Sequence, residues 1–355
     1  MIKAKMIKRQ YRSLSVDIGV PVFSILLAFV VSGAFLYFSG FDPGETFLRM
    51  FKGAFGSSYA IAETIVKAIP LMLAGLAVSL AFRMKLWNIG AEGQLYMGAF
   101  AASWVALTCG HLSSWLLLLL MFLAGFLGGA VWGFIPGFLR GYWQVNETIV
   151  TLMLNYVAIS WVGYLVFGPW KDPASKGFPL TPRFSDAAYL PTFGDSRVHL
   201  GLLIAIVIAL IFYLVLRYSR WGYEIKVIGE SQNAARYAGM NVARNIVLVM
   251  IISGGIAGIT GMIEVSGITH RLQQDISPGY GFSAVIVAWL ARLHPFSIIL
   301  VAFLFGALLV GGFGVQTFGI PYSIVLMLEG SILFFLLAGE FLLRYKIVLV
   351  RKEVQ

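Results

Sequence analysis

The chain has 355 residues, of which 59% are hydrophobic and only 12% are charged. A soluble domain of average composition carries roughly a quarter charged residues, so this composition excludes the ordinary soluble classes and indicates an integral membrane protein. The net charge of +10 would by itself also suit a nucleic-acid-binding surface. A single cysteine, Cys109, excludes an internal disulfide bond, and the four histidines lie far apart without ligand spacing, so no metal site is predicted.

Long apolar runs follow one another along the whole chain. Each has about 20 residues, which suits a helix that crosses a hydrocarbon core about 30 Å thick. We therefore predict an all-α polytopic membrane protein with about ten transmembrane helices in a single domain over residues 1–355. The predicted spans are 17–39, 60–82, 89–109, 114–139, 147–168, 199–217, 245–264, 279–293, 296–315 and 322–343. The eighth is short, so a broken or re-entrant helix is expected as an alternative there.

Positive charge is distributed unevenly between the two sides of this bundle. An even number of spans puts both termini on one side, and 18 of the 26 Lys and Arg residues then fall on that side. Because cytoplasmic loops are enriched in Lys and Arg, we expect residues 1–16, segment 217–244 and both termini in the cytoplasm. Loop 168–199 is then extracytoplasmic. The same asymmetry accounts for most of the net charge, so a nucleic-acid surface is not needed.

A polar run interrupts the apolar sequence early in the chain. Residues 88–94 read Asn-Ile-Gly-Ala-Glu-Gly-Gln, between the apolar stretches 61–82 and 95–108. Polar groups near membrane depth are tolerated mainly in a packed interior or a wet cavity, and glycines that open a helix let backbone groups line such a cavity. Asn88, Glu92 and Gln94 are therefore candidates for a polar passage. The alternative is a polar turn at the membrane edge.

A second polar cluster opens the fifth predicted span. Asn146 can cap that helix, and Glu147 then lies at its positive end. Glu147, Thr151 and Asn155 recur at i, i+4 and i+8, so they form a stripe that faces a bundle interior or a channel. A capping role and a pathway role both fit Glu147.

Two Gly-rich polar openings suggest an internal repeat with broken helices. Residues 88–94 and 277–281 each follow one apolar helix and precede another, as in many transporters with repeats around a midplane site. Outside these openings, Glu63 and Lys67 are spaced i, i+4 and are expected to pair with each other.

Segment 217–244 is the only sizeable stretch predicted on the cytoplasmic side. Within it, residues 231–239 predict a short helix, with Ser231 as its N-cap and Gly239 as its C-terminal stop. An amphipathic helix at the membrane surface is the alternative.

Sequence motifs for catalysis and for autonomous energy coupling are absent. No GxxxxGK[ST], nucleophile elbow, HExxH or Cys/His pattern occurs, and the spans carry no evident chain of carboxylates and histidines for a proton relay. We therefore do not expect an enzyme. Work for active transport would have to come from a partner protein, and segment 217–244 is where that partner could act.

Three motifs together resemble one family. The sequences WNIGAEGQLYMGA (87–99), NETIVTLMLNYVA (146–158) and WGYEIKVIGESQNAARYAGMNV (221–242) are similar to those of the membrane subunits of bacterial ATP-binding cassette (ABC) importers for nucleosides. Those subunits belong to a larger group with ribose and branched-chain amino-acid permeases. The resemblance covers residues 60–340. Trp87 and Asn146 depart from the residues that are frequent in the family at these places.

The resemblance implies a function and a set of partners. It implies a permease subunit that moves nucleosides, purine nucleosides favoured, across the bacterial cytoplasmic membrane by alternating access. It also implies a cytoplasmic ATPase that binds ATP and Mg²⁺, a second permease in a heterodimer, and an extracytoplasmic substrate-binding lipoprotein, with no cofactor in this chain and no nucleic acid. The residues then expected along the translocation pathway are Asn88, Glu92, Gln94, Glu147, Thr151 and Asn155. Those expected to couple to the ATPase are Gly229, Asn233, Ala234, Ala235, Tyr237 and Gly239.

Three rival functions are open at this point. A ribose or branched-chain amino-acid ABC permease belongs to the same group. A secondary carrier or channel that works alone is a different class. A membrane enzyme is the third rival, and the missing catalytic motifs argue against it.

Overall fold

The structure is a computed structural model that describes residues 2–8, 14–194, 196–321 and 323–351. Thirteen α-helices occupy most of these residues. In chain order they are α1 (Leu14–Phe38), α2 (Pro43–Phe55), α3 (Ser58–Arg83), α4 (Ala91–Thr108), α5 (Ser114–Trp143), α6 (Glu147–Phe167), α7 (Gly201–Tyr218), α8 (Arg220–Glu230), α9 (Gln232–Tyr237), α10 (Val242–Glu264), α11 (Tyr280–Leu290), α12 (Pro295–Gln316) and α13 (Ser323–Arg344). A 3₁₀ turn at Asp186–Ala188 and a π-helical turn at Val265–Thr269 complete the helical elements of the described chain.

The all-α class is confirmed for nearly all of the described chain, but the count of about ten membrane-crossing helices is not. Each predicted span contains a helix. Six helices are long and apolar enough to cross a membrane, namely α3, α5, α6, α7, α10 with its π-helical turn, and α12. Helices α1 and α2 meet at 118° and add a seventh span if this bent pair is counted as one. Helix α11, in the short eighth segment, has only 11 residues.

Two short strands are a feature that the sequence reading did not anticipate. Strand β1 (Ile2–Lys8) pairs antiparallel with β2 (Tyr345–Arg351), so that Ile2 lies opposite Arg351. Lysine alternates with apolar residues over positions 2–6 of β1, and aliphatic residues are frequent in β2, which is the periodicity and composition of strands. Residues 1 and 9–13 of the predicted N-terminal segment 1–16 lie outside the described residues.

Backbone contacts group the chain into two compact units. One consists of residues 1–56 and 308–355, and the other of residues 57–307. The single domain predicted over 1–355 stays a prediction, because this grouping does not show whether either unit folds alone. All of the candidate site residues belong to the second unit.

A glycine stripe packs α5 against α10 inside the second unit. Five glycines of α5 recur every four residues, at 125, 129, 133, 137 and 141. A Cβ at Gly129 would lie 2.1 Å from the Gly254 carbonyl oxygen, and one at Gly258 would lie 2.1 Å from the Gly125 carbonyl oxygen. Small residues at this spacing let helices in a membrane approach closely. The two backbones therefore touch where only a hydrogen atom fits.

Helix α3 lies in the interior of this unit, and α7 lies at its periphery. In the most apolar stretch of each helix, 89% of α3 is buried and only 22% of α7. Large aliphatic side chains of α7 are 42–51% exposed, namely Leu203, Ile206, Val207, Leu210, Ile211 and Leu214. An exposed helix surface made only of aliphatic side chains suits contact with lipid.

Candidate functional site

A break separates α3 from α4 at residues 84–90. Helix α3 ends at Arg83, and α4 begins at Ala91 with Gly90 as its N-cap residue. Because Gly90 has no side chain, the first turn of α4 receives no cap from that position, and its free N–H groups need other partners. Space also requires glycine here, since a Cβ at Gly90 would lie 2.9 Å from the Cβ of Thr151.

Asn155 of α6 supplies the missing cap. Its Oδ1 accepts a hydrogen bond from the Gly93 N–H at 2.8 Å, and its Nδ2 donates to the Ile89 carbonyl at 2.9 Å. One side chain, only 1% exposed, therefore fixes two backbone groups around the start of α4 to α6. Thr151 lies one turn earlier on the same face and packs against Gly90.

Glu147 holds the beginning of the same break. Its Oε1 accepts from the Trp87 N–H at 3.2 Å. Its Oε2 lies 3.2 Å from Nε of Arg140, an ion pair by distance whose geometry does not make a hydrogen bond. The cap of α6 is instead Asn146, whose Oδ1 accepts from the Thr148 N–H at 2.9 Å. Asn146 thus has the capping role predicted for it, and Glu147 bonds across to the break.

Asn88 and Gln94 bond to each other in the interior. Asn88 Nδ2 donates to Gln94 Oε1 at 3.1 Å, and Gln94 Nε2 donates to Asn88 Oδ1 at 3.2 Å. Asn88 Nδ2 also donates to the Ser253 hydroxyl of α10 at 2.9 Å, and that hydroxyl donates to the Ala77 carbonyl at 2.7 Å. Ser253 could not be singled out from the sequence, because it is one small residue in an apolar run of α10.

Glu92 connects α4 to the start of α11. Its Oε2 accepts from the Gly281 N–H at 2.7 Å. Helix α11 follows Gly279, which offers no capping side chain. A Cβ at Gly281 would lie 2.2 Å from the Glu92 nitrogen, so the starts of α4 and α11 are in direct contact. The two Gly-rich openings therefore meet, and the internal repeat itself stays a prediction.

The six predicted pathway residues come together in one buried polar cluster. Their side chains tie the break and the starts of α4 and α11 to α6, α10 and each other. The exposed fractions are 0% for Asn88, 2% for Glu92, 1% for Gln94, 6% for Glu147, 1% for Thr151 and 1% for Asn155. The stripe predicted on α6 therefore faces the bundle interior. Whether any member of the buried polar cluster contacts a substrate stays a prediction.

Segment 217–244 contains the short helix that its sequence predicts. Ser231 is the N-cap of α9 and accepts from the Ala234 N–H at 3.3 Å, and Gly239 has φ of 78° just beyond the end of α9. Of the predicted coupling residues, Ala235 is buried and Tyr237 is 97% exposed. Asn233, Ala234 and Gly239 are also exposed.

Helix α8 packs directly on the end of α3, just before the break. A Cβ at Gly229 would lie 2.0 Å from the Arg83 carbonyl oxygen, so only glycine fits there. Lys85 Nζ also lies 3.5 Å from the Glu230 carbonyl oxygen, and Glu230 ends α8. Segment 217–244 is thus in contact with the chain that leads into the buried polar cluster.

The ion pair predicted between Glu63 and Lys67 is wrong. Both carboxylate oxygens of Glu63 accept from Arg197 at 3.0 Å, and Lys67 Nζ donates to the Tyr280 hydroxyl at 3.2 Å. Spacing along a helix anticipates partners on that helix only, whereas Arg197 comes from loop 168–199. Among the described residues, no group of three or more His, Cys, Asp or Glu side chains could hold a metal ion.

His199 lies beside Arg197, outside the membrane-spanning segments. It is fully buried, and its Nδ1 accepts from the Gly201 N–H at 3.2 Å. Burial, with the nearby charges of His270 and Arg197, lowers the pKa of His199 to about 4. The ring is therefore neutral at pH 7.

Several curated proteins are similar to this chain over most of its length. The glucose ABC transporter permease protein TsgB13 of Haloferax volcanii is 38% identical, over 93% of this chain and 89% of its own. The guanosine ABC transporter permease protein NupP of Bacillus subtilis is 33% identical, over 94% and 97%. The nucleoside ABC transporter permease protein NupB of Lactococcus lactis is 29% identical, over 89% and 90%.

In each of the two nucleoside transport systems, a second permease is also similar to this chain. NupQ of B. subtilis and NupC of L. lactis are similar over 70% and 69% of this chain, so these relatives occur as pairs. Among solved structures, a chain of PsaBC from Streptococcus pneumoniae has a TM-score of 0.49 at 14% identity, over 81% of this chain and 95% of that chain.

The profile of one family, described as the permease component of the branched-chain amino acid transport system, matches residues 60–337. Since that match covers well over half of the sequence, the chain belongs to this family of multi-pass membrane permeases.

Proposed function

We propose that this chain is one permease subunit of an ABC importer that moves nucleosides, purine nucleosides favoured, across the bacterial cytoplasmic membrane. Membership of the permease family supports the transport class, and the guanosine and nucleoside permeases among its relatives support the substrate class. ATP and Mg²⁺ bind to a separate cytoplasmic ATPase. A second permease, as in the paired relatives, and an extracytoplasmic lipoprotein complete the proposed assembly.

The contact between α8 and the end of α3 is the observation that carries the coupling mechanism. Gly229 touches the Arg83 backbone, and the break begins at the residue that follows Arg83. A push on α9 by the ATPase therefore reaches the break through packed backbone rather than through a flexible side chain. In this alternating-access cycle, segment 217–244 and both chain termini lie in the cytoplasm.

The buried polar cluster has a positioning role in this proposal. Asn155 and Glu147 hold the break against α6, and Glu92 holds α11 against α4. The predicted contact of these six residues with substrate would require the break to open in another state of the cycle. In the conformation described here, they fix the helices around the passage.

A sugar importer is the second candidate, and one observation favours it. The glucose permease of H. volcanii is 38% identical over 93% of this chain, a higher identity than either nucleoside permease has. Uptake by the complete complex in proteoliposomes separates the two candidates. We expect ATP-dependent guanosine uptake that adenosine competes with and that excess glucose or ribose leaves unchanged. Glucose uptake without nucleoside uptake would contradict the nucleoside assignment.

The same assay tests the energy source. With an ATPase subunit that cannot hydrolyse ATP, we expect accumulation to stop. Continued accumulation would instead identify a secondary carrier.

Docking of the ATPase on α9 is tested with Gly239→Trp. A Cβ at Gly239 would meet no atom within 4 Å, and its φ is 78°, so a side chain at this position costs backbone strain but can leave the backbone without a clash at Cβ. Gly177→Trp is the matched control, because Gly177 has φ of 98° and equally open space in loop 168–199. We expect Gly239→Trp to reduce copurification of the ATPase and ATP-driven uptake, and Gly177→Trp to leave copurification unchanged. Equal copurification by both variants would exclude docking at Gly239.

A further inference from the structure

The exposed face of α6 has a chemistry that does not suit lipid. Helix α6 has 21 residues, about 31 Å of helix, so Tyr156 and Ser160 lie about 14 and 20 Å from its first residue. Tyr156 is 62% exposed and Ser160 is also exposed. Within the part of the chain that the structure describes, neither hydroxyl has a hydrogen-bond partner. A hydroxyl left unbonded in hydrocarbon is costly, and exposed polar groups at that depth belong to a cavity or an interface.

Helix α7 provides the contrast within the same unit. Its exposed residues through the middle of the span are all aliphatic, and Leu210 is 45% exposed there. The exposed residues of α7 between Leu203 and Leu214 thus carry no hydroxyl group. The exposed face of α6 differs because it carries hydroxyl groups, which suit a wet or protein-lined surface and not lipid.

The hydroxyls of α6 border a shallow concavity rimmed by aromatic rings. It has a volume of 580 Å³ and is lined by Tyr156, Val157, Ser160, Trp161 and Tyr164. The ring centroids of Trp161 and Tyr164 lie 5.8 Å apart, and the two ring planes are tilted by 31° to each other. Small-molecule sites have roughly 300–1,000 Å³ and combine apolar walls with a few polar groups. This concavity is open to one side and mostly apolar, with the two hydroxyls at its border, and a second permease would supply the opposite wall.

We propose that this concavity, the α6 aromatic surface, forms one wall of the passage and binds a solute that joins a planar heteroaromatic ring to a hydroxylated sugar. The faces of Trp161 and Tyr164 stack on the ring system, as aromatic side chains do with any base. The hydroxyls of Tyr156 and Ser160 exchange hydrogen bonds with sugar hydroxyls, since each group is both donor and acceptor. Such stacking tolerates different bases. This inference rests on the proposed nucleoside transport, and it places the solute on the face of α6 opposite Thr151 and Asn155.

Cysteine accessibility tests whether the surface is wet. Cys109 is the sole cysteine, so Cys109→Ser gives a background for Ser160→Cys and for the control Leu210→Cys. In the complete complex we expect a charged thiol reagent to modify Ser160→Cys, guanosine to protect it, and Leu210→Cys to stay unmodified. If the reagent does not modify Ser160→Cys, this surface does not line a wet passage, whether or not the new cysteine crosslinks to the second permease. Modification without protection by guanosine would overturn the binding site.

Uptake by ring variants tests the stacking role. We expect Trp161→Leu to lower guanosine uptake at low substrate concentration by about 5- to 150-fold, the effect of losing one stacked base. Tyr156→Phe, which removes only the hydroxyl, lowers it less, and the control Phe134→Leu on the exposed face of α5 leaves it unchanged. If the wild type carries guanosine and Trp161→Leu carries it equally well, only this inference falls. If the wild type carries glucose and no nucleoside, the proposed function falls, and this ligand class falls with it.

Discussion

Replacement of Asn155 by leucine tests whether the break depends on a cap from another helix. Leucine has a similar size but no polar atoms, so Asn155→Leu leaves the Gly93 N–H and the Ile89 carbonyl without the partners they have at 2.8 and 2.9 Å. Each buried polar group left unbonded costs about 1–3 kcal/mol. Two such groups therefore predict a loss of about 2–6 kcal/mol in the free energy of unfolding.

Thermal unfolding of the purified subunit in detergent measures this loss. For a chain of this length, the unfolding entropy per residue converts it to a decrease of roughly 3–8 °C in Tm. Asn146→Ala is the control, because Asn146 caps only its own exposed helix start and such caps contribute about 1 kcal/mol. A Tm for Asn155→Leu within about 1 °C of the wild type, or equal to that of Asn146→Ala, would refute the reasoning.

Two further predictions concern packing and pH. A Cβ at Gly258 would lie 2.1 Å from a backbone oxygen of α5, so Gly258→Ala is expected to yield aggregated protein in size-exclusion chromatography, whereas Gly163→Ala, with open space around it, stays monodisperse. The pKa of His199 is about 4 in the folded chain and 6.5 without the fold, so unfolded protein binds more protons below pH 6.5 and stability falls as the pH drops towards 4. Between pH 8 and pH 5 this predicts a loss of about 2 kcal/mol, seen as a lower Tm that His199→Gln does not show; equal decreases in both proteins would contradict it.

Features set by local chemistry could be predicted from the sequence. The helix within segment 217–244 follows from Ser231 and Gly239, because a cap and a left-handed stop act on neighbouring residues only. The buried face of α6 follows from the spacing of Glu147, Thr151 and Asn155, because helical periodicity fixes which residues share a face. The family of the chain was likewise accessible, since its motifs are contiguous.

Features set by distant partners could not be predicted in the same way. Nothing local to Asn155 indicates that it bonds to the backbone around Gly90, and nothing local to Glu63 indicates Arg197. The predicted count of about ten crossing helices is not confirmed, because apolar composition does not reveal that α1 and α2 bend by 118° or that α11 ends after 11 residues. The close packing of α5 on another helix could have been predicted from the sequence, because the glycines of α5 recur every four residues and therefore share one face of the helix.

The caps of α4 and α11 have a consequence for the order in which the chain can fold during synthesis. The Gly93 N–H can form its hydrogen bond only after Asn155 has been made, 62 residues later. The Glu92 carboxylate can accept from the Gly281 N–H only after a further stretch of chain has been made, since Gly281 lies 189 residues after Glu92. At about 5–20 residues per second, these delays are roughly 3–12 s and 10–40 s. Helix α4 is therefore made with both groups unsatisfied and acquires its final position only when α6 follows, while the carboxylate of Glu92 has no partner from α11 until α11 has been made. Until then these two polar groups need water as their partner, so the packing of α4 in its final position is a late step in the folding of the chain.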